Sequence, residues 1–370
     1  MASTVSFLHT ADSQFGTGFG TLPPQVADLK RTSQREGFSA LVQHAIREKL
    51  DLFLLSGDVF DTAHPAIADI SFVKKELERL ETAGVQVFVI PGNHDSSGPG
   101  SLWDQYGPWP GHVFLSPGFT SVFLADQDIE IFGMGFDRSH SSDNPLAADK
   151  IVPKTSRSIL LYHGAWQNFG RELTRDYPFS LADIEKIPCN YIALGHYHAY
   201  SVVLDRPDKK AVYSGDTEGL DFSANECGLR QAFQGEISPE GQVTIKPVPI
   251  KSLLMEYLEL DVSTYTLAGL DHAIQEKADA RTLLDVQLTG IPSIELFREI
   301  PVIEQACRHL FLFFRIIDRT VDVQVNDLQK AQTYQGLYYR ALKDKLAKAT
   351  TEEEKTAIRQ ALQIGLAAFQ

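Results

Sequence analysis

Three short apolar runs, residues 5–9, 52–56 and 85–90, are rich in Val, Leu, Ile and Phe, and amphipathic stretches at 35–49 and 67–83 separate them. A short run that is apolar throughout reads as a strand buried on both faces. Strand, helix and strand at this spacing fold as an α/β layer with parallel strands. From residue 113 the texture changes. Runs at 122–124, 130–133, 159–163, 191–195, 201–204, 211–214, 232–237 and 243–248 follow one another mostly without long helices between them. We expect a second sheet packed on the first, an α/β fold built as a two-layer β-sandwich flanked by helices.

The chain has 370 residues, too many for one compact domain of ordinary size. A boundary falls near residues 247–251. Beyond it, a strand at 255–262, a helix at 266–278 and strands at 283–288 and 310–317 form a small α+β cap domain. Residues 328–370 lack proline and read as two helices. Leu337, Tyr338, Ala341 and Leu342 stripe one; Ile358, Ala361, Leu362, Leu366 and Phe369 stripe the other. Acidic residues 352–354 suit the second helix's start. The expected organisation is 1–250, a catalytic domain; 251–326, the cap; and 327–370, a helical tail.

Five polar clusters each follow an apolar run. They are HTAD at 9–12, GDVFD at 57–61, GNHD at 92–95, YHGA at 162–165 and GHYH at 195–198. The carboxyl ends of strands in α/β sheets converge on the ligand site, so the five clusters predict one shared site. Carboxylates, an amide oxygen and imidazoles, with no thiolate among them, suit divalent ions such as Mn²⁺, Fe²⁺ or Zn²⁺. The carboxylate of Asp58 has two oxygens and can bridge two ions. Two ions about 3.5–4 Å apart bind a phosphate ester, acidify a bridging water and stabilise the attacking and leaving oxygens. Gly57, Gly92 and Gly195 precede the ligands and are expected to permit sharp turns at strand ends.

In this order the motifs resemble the calcineurin-like metallophosphoesterase superfamily. HTAD near the start, GDVFDTAHP around Asp58 and YSGDTEGLDFSANECGLRQAF at 213–233 are similar to its SbcD-type DNA repair exonuclease branch. That branch includes the archaeal and eukaryotic double-strand-break repair nucleases. In the last segment Asp216 stands where serine is common, and Gly219 and Leu220 where arginine often stands. The resemblance covers about residues 5–250 and the cap loosely; the tail lies outside it. It implies a hydrolase, a DNA exonuclease or endonuclease, with two divalent metal ions and Mn²⁺ as activator. It further implies that Asp12, Asp58 and His198 hold one ion, and Asp58, Asn93, His163 and His196 the other. His94 would act at the scissile phosphate as general acid or transition-state stabiliser, oriented by the carboxylate of Asp95.

One departure matters: the branch has histidine two residues after the first Asp, and here it is Gln14. Its amide oxygen is a poorer ligand than imidazole, which leaves Gln14 either a ligand or a bystander. A DxQ variant also looks like an actinobacterial-type subgroup of these nucleases. The resemblance implies DNA and an SbcC-type, SMC-like ATPase as partners, the latter docking on the tail, and suggests a homodimer. Two other readings stay open: a phosphatase or phosphodiesterase of small or protein substrates using the same site, and a scaffold subunit with an impaired first metal site. A wide groove under the cap would favour DNA and a closed pocket a small ester.

A net charge of −14 argues against a nonspecific DNA-coating protein, though not against local basic grooves or bound cations. Cys189, Cys227 and Cys307 form no CxxC pair, which fits idle thiols in a reducing cytoplasm. The opening MASTVSFLHTAD carries neither a basic leader nor an apolar signal core, and the late apolar run contains Arg315, so no membrane span is expected. His9 reads as a satisfied core histidine and Asp61 as a loop-capping or supporting residue. Lys30, Arg31, Arg35, Arg138, Arg171 and Arg175 read as solvated residues or as part of a phosphate track. Trp103, Trp109 and Trp166 read as packing residues, with Trp166 the best candidate for stacking on a base.

Overall fold

A computed structural model describes residues 3–138, 141–148, 150–167, 175–320 and 331–367. By internal contacts the chain forms two compact units. One comprises residues 1–221 and 228–253, the other 222–227 and 254–370.

The first unit opens with β1 (Val5–Thr10), α1 (Pro24–Arg47), β2 (Leu52–Ser56), α2 (Ile67–Thr82) and β3 (Gln86–Ile90). Then come α3 (Leu102–Gln105), β4 (His112–Val113), β5 (Thr120–Leu124), β6 (Ile129–Gly133), α4 (Pro145–Ala148), β7 (Ser158–His163) and α5 (Leu181–Lys186). β8 (Tyr191–Gly195), β9 (Ser201–Asp205), β10 (Lys210–Tyr213), β11 (Arg230–Ile237) and β12 (Val243–Ile250) complete it. Two six-stranded sheets result, in the orders β12-β11-β1-β2-β3-β4 and β5-β6-β7-β8-β10-β9. β1, β2 and β3 are parallel neighbours in the first sheet, and β7 and β8 in the second.

Alternation along the strands builds three apolar layers. Phe7, Leu52, Leu54, Phe88 and Ile90 of the first sheet meet Ile159, Leu161, Tyr191 and Ala193 of the second. The opposite faces bury Leu8, Phe53, Leu55, Val87 and Val89 with Phe38, Leu41, Val73 and Leu77 of α1 and α2. Leu160, Tyr162, Ile192 and Leu194 pack with Phe179 and Ile184. Strands covered on both faces therefore show no polar side in the sequence.

α1 begins at Pro24, well before the expected residue 35, because its first turns carry little apolar signal. Its inward face there holds Lys30, Ser33 and Gln34, all buried. Lys30, read as a solvated residue, is instead paired at 2.5 Å with Glu218, both side chains 0% exposed.

The second unit contains β13 (Leu254–Asp261), α6 (Leu267–Gln275), β14 (Asp279–Thr289), α7 (Ile294–Cys307) and β15 (Phe311–Asp318). The three strands are all parallel, in the order β13-β14-β15, with a helix in each crossover. α7 was not expected; Pro301 stands inside it, and Ser293 caps it by accepting from the amide of Leu296. Helices Tyr334–Lys348 and Glu352–Ala367 follow and pack through Tyr338, Tyr339, Leu342, Leu362 and Leu366. Arg171 and Phe369, named above, and residues 328–330 at the start of the tail lie outside the described residues. Among the described residues no helix is long and apolar enough to cross a membrane. No disulfide forms among Cys189, Cys227 and Cys307.

Candidate metal centre

The five clusters stand at the carboxyl ends of β1, β2, β3, β7 and β8. Asp12 and Asp58 lie two residues past β1 and β2, Asn93 three past β3; His163 ends β7, and His196 follows β8 directly. Because β1–β3 are neighbours in one sheet and β7 and β8 in the other, stacking the sheets gathers these ends. The amide of Asp12 donates to Gly57 O at 3.0 Å and that of Gln14 to Asp58 O at 3.0 Å. The amide of His196 donates to both Asp12 carboxylate oxygens at 3.0 Å. Asp58 Oδ1 accepts from the His94 amide at 2.8 Å.

Close approach is what the glycines supply. A Cβ on Gly92 would lie 2.2 Å from Asp58 Oδ1, and one on Gly195 1.9 Å from Ser56 O. Of the three, only Gly57 adopts a positive φ, +92°. Crowding thus explains all three, a Cβ on Gly57 lying 2.2 Å from His163 Nδ1, and turning adds to it at Gly57.

At the centre, ligating atoms of Asp12, Asp58 and His163 all lie within 4.8 Å of one another, and all three residues are buried. His163 Nδ1 donates to Ser56 O at 3.0 Å, which fixes the tautomer of a neutral ring. Its Nε2 then points at Asn93 Oδ1, 2.8 Å away, and at Asp58 Oδ2, 3.4 Å away. A lone pair facing two acceptors is repulsive; only a proton or a cation between them makes it favourable. Burial pushes the His163 pKa down, but Asp58 and Asp12 outweigh it and raise it to about 9. A proton on Nε2 therefore stands in for a cation. Burial also raises Asp12 to about 6, despite His163 and His198. It opposes the lowering of Asp58 as well, yet His163 and His94 hold that carboxylate below its usual range.

His196 Nδ1 donates to Asn93 Oδ1 at 3.1 Å, and burial lowers its pKa to about 3. Gln14 Nε2 donates to Asp58 Oδ2 at 3.1 Å and reaches His198 Nε2 at 3.5 Å. Its buried Oε1 has no hydrogen-bond partner among the described residues. The structure thus brings together Asp12, Gln14, Asp58, Asn93, His163, His196 and His198. Oxygen and imidazole donors around a buried acidic pair fit divalent cations of the borderline to hard class.

His94 stands at the rim, its side chain 42% exposed. Its Nδ1 donates to Asp61 O at 3.1 Å and lies 3.2 Å from Asp61 Oδ1. The bond to Asp61, ahead of the burial that opposes it and the charge of Asp58, raises the His94 pKa to about 9. Asp95 does not orient His94. It is wholly buried, and its carboxylate accepts from the amides of Gly92 at 2.6 Å and Phe60 at 3.1 Å. Burial, joined by the charge of Asp58, raises it to about 7. Asp95 shapes the loop backbone, and Asp61 holds the ring.

Two residues were missed. Asp216 Oδ2 lies 3.9 Å from His198 Nδ1, and Asp216 Oδ1 accepts from Arg230 at 2.8 Å. Arg230 also donates to His198 O at 3.1 Å. The exchange of serine for Asp216 was the only trace of this in the sequence. His9 is a buried core histidine, 2.8 Å from the Tyr191 hydroxyl. Trp103 is buried against Trp109, and Trp166 is half-buried against the outer core. Arg31 and Arg35 pair with Asp28 and Asp69.

A family model described as calcineurin-like phosphoesterase matches residues 5–200, more than half of the chain. Uncharacterized metallophosphoesterase YhaO of Bacillus subtilis is 31% identical over 256 residues, covering 65% of this chain and 61% of that one. DNA double-strand break repair protein Mre11 of Methanosarcina acetivorans is 23% identical over 300 residues, 75% of this chain and 44% of that one. The Saccharolobus solfataricus protein of the same description is 28% identical over 204 residues, 52% and 49% of the two chains. The chain thus spans less than two thirds of the length of each.

Proposed function

This chain belongs to the calcineurin-like phosphoesterase family, and we propose that it hydrolyses phosphodiester bonds in DNA as a dinuclear, Mn²⁺-activated nuclease. The observation that supports metal chemistry most directly is His163 Nε2 facing Asn93 Oδ1 and Asp58 Oδ2. DNA as substrate rests on the two relatives described as double-strand break repair proteins.

In this reading Asp12, Gln14, Asp58 and His198 hold one cation, and Asp58, Asn93, His163 and His196 the other. When bound, the two ions neutralise the phosphate ester and acidify the attacking water. Ser56 O fixes the ring of His163, and Asp216 faces the far nitrogen of His198, so both imidazoles present Nε2 inward. The bond from its Nδ1 to Asp61 raises the pKa of His94 and so favours the protonated ring. Its Nε2 proton is thereby available to the departing oxygen.

A nuclease assay with Mn²⁺, Fe²⁺ or Zn²⁺ and with chelator tests the reading, with His94→Ala alongside. Chelator-sensitive cleavage, slowed about 10²–10⁴-fold in the variant, is the expected result. Wild-type protein inert with all three ions would overturn it in favour of a scaffold. We further propose that the tail helices dock an SMC-like ATPase. Leu337 and Ile364 are 55% and 72% exposed there. Deletion of residues 328–370 should abolish that complex while sparing small-ester hydrolysis; a pull-down unchanged by the deletion would refute it.

A further inference from the structure

Beside the metal centre lies a cavity of about 400 Å³ lined by Asn93, His94, Phe136, Arg138, Ser141 and Asp176. That is the size of a nucleotide-scale binding site. Among the described lining residues Arg138 is the one cationic side chain other than His94, and the backbone holds it. Its Nε donates to Asn93 O at 3.0 Å, and its Nη2 donates to Asn93 O at 2.8 Å and to His94 O at 3.2 Å. Those bonds engage one edge of the guanidinium. No described residue accepts from the two N–H groups of Nη1. A planar guanidinium anchored on one edge presents the other in a fixed direction, which suits phosphate recognition.

The anchor is what ties Arg138 to the chemistry. Asn93 and His94 belong to the loop that carries a proposed ligand and the proposed acid. A phosphate on Nη1 would therefore sit at a set distance from the scissile one. Phe136 gives the cavity a firm wall: it is buried and meets the His163 ring edge to face at 5.9 Å between centroids. The carboxylate of Asp176 disfavours a second anion but accepts from N–H or O–H groups. One phosphate plus one hydrogen-bond-donating unit describes a nucleotide. On a chain of net charge −14, a cation fixed beside the site has a large share in drawing in a polyanion.

We propose that this cavity is a nucleotide subsite, in which Arg138 binds the phosphate next to the scissile one and Asp176 accepts from the intervening nucleoside. The proposal rests on the phosphodiesterase reading above. Its test uses the Mn²⁺-loaded full chain and two pairs of chromogenic esters. One pair is the p-nitrophenyl ester of thymidine 5′-phosphate with and without a second phosphate on the 3′ oxygen. The other pair exchanges the two positions. In wild type the second phosphate should raise kcat/KM about tenfold in one pair, the size of a partly exposed charge-assisted hydrogen bond. That ratio should fall to near one in Arg138→Gln and be partly kept in Arg138→Lys. Arg138 also holds the loop, so both esters slow together in the variants, and the ratio cancels this effect. No second-phosphate advantage in wild type, or the same advantage in Arg138→Gln, overturns the proposal. Calorimetric binding of thymidine 3′,5′-bisphosphate separates the two failures. If no ester is hydrolysed, the phosphodiesterase reading falls, while roughly tenfold weaker binding by Arg138→Gln still supports the subsite and equal binding removes it.

Discussion

Replacing Lys30 by methionine should cost the first unit about 3–5 kcal/mol, the usual effect of stranding one charge of a buried pair. The structure sets the scale. Lys30 Nζ lies 2.5 Å from Glu218 Oε1, and both side chains are 0% exposed. The other Glu218 oxygen accepts from Ser33 Oγ at 2.8 Å. Burial is the first cause of both shifts, pushing Lys30 down and Glu218 up, with their mutual attraction opposing it. Neither partner is therefore comfortable alone. At roughly 2–4 °C per kcal/mol for domains of this size, the melting temperature should drop by roughly 6–20 °C. Scanning calorimetry and urea unfolding of the full chain would measure it. Lys30→Met with Glu218→Leu removes both charges and should recover most of the loss, because two apolar groups of similar volume need no pairing. A loss below about 1 kcal/mol in the single variant, or a double variant showing no coupling, would refute the reasoning.

Three other perturbations reach the core and the site. His9 is wholly buried, and burial lowers its pKa from 6.5 to about 3. The unfolded chain then takes up the proton first, so stability is lost as pH falls from 6.5 to about 3, by roughly 4–5 kcal/mol in total. His9→Gln should flatten that slope in urea midpoints measured against pH; a slope equal to wild type contradicts it. The first metal site, relying on Gln14, should bind Mn²⁺ more weakly than the second, and Gln14→His should tighten it. Calorimetric titration showing two equally tight sites in wild type would sink this. Asp61→Asn removes the leading cause of the raised His94 pKa, so the alkaline limb of the pH–rate profile should move to lower pH. A limb left in place would mean that His94 is not the acid.

Much of this was written in local pattern. β2 and β3 are apolar at all but one position each, Ser56 and Gln86, and β1 carries Val5, Phe7 and Leu8, because helices cover one face and the second sheet the other. That same double burial pushed the polar residues to the strand ends, where the motifs stood out. What stayed hidden depended on partners distant in sequence. The first turns of α1 lacked an apolar stripe because Lys30 and Ser33 answer Glu218, more than 180 residues away. The family resemblance implies Asp95 as the carboxylate that orients His94, yet in the structure Asp95 accepts from the backbone instead. Neighbours in an irregular loop point different ways, and Asp61 reaches the ring from the preceding strand's loop. α7 was missed because Pro301 discounts a helix, although this one tolerates it.

The backbone explains why these side chains need so large a scaffold. Asp12, Gln14, Asp58 and His196 all have positive φ, at 51°, 49°, 47° and 109°. None is glycine, and such conformations cost of order 1–3 kcal/mol each. The same few residues bury two carboxylates 0–2% exposed, a further cost unless positive charge lies between them. Strand-end loops alone would relax both strains by opening. Here β1 and β2 are wedged between two apolar layers, and the Asp12 and Gln14 amides are tied to the carbonyls of Gly57 and Asp58. Opening either loop would have to break that packing. The acidic cluster is therefore held closed before any cation arrives, which is the arrangement that lets binding energy go to the cation rather than to folding the loops.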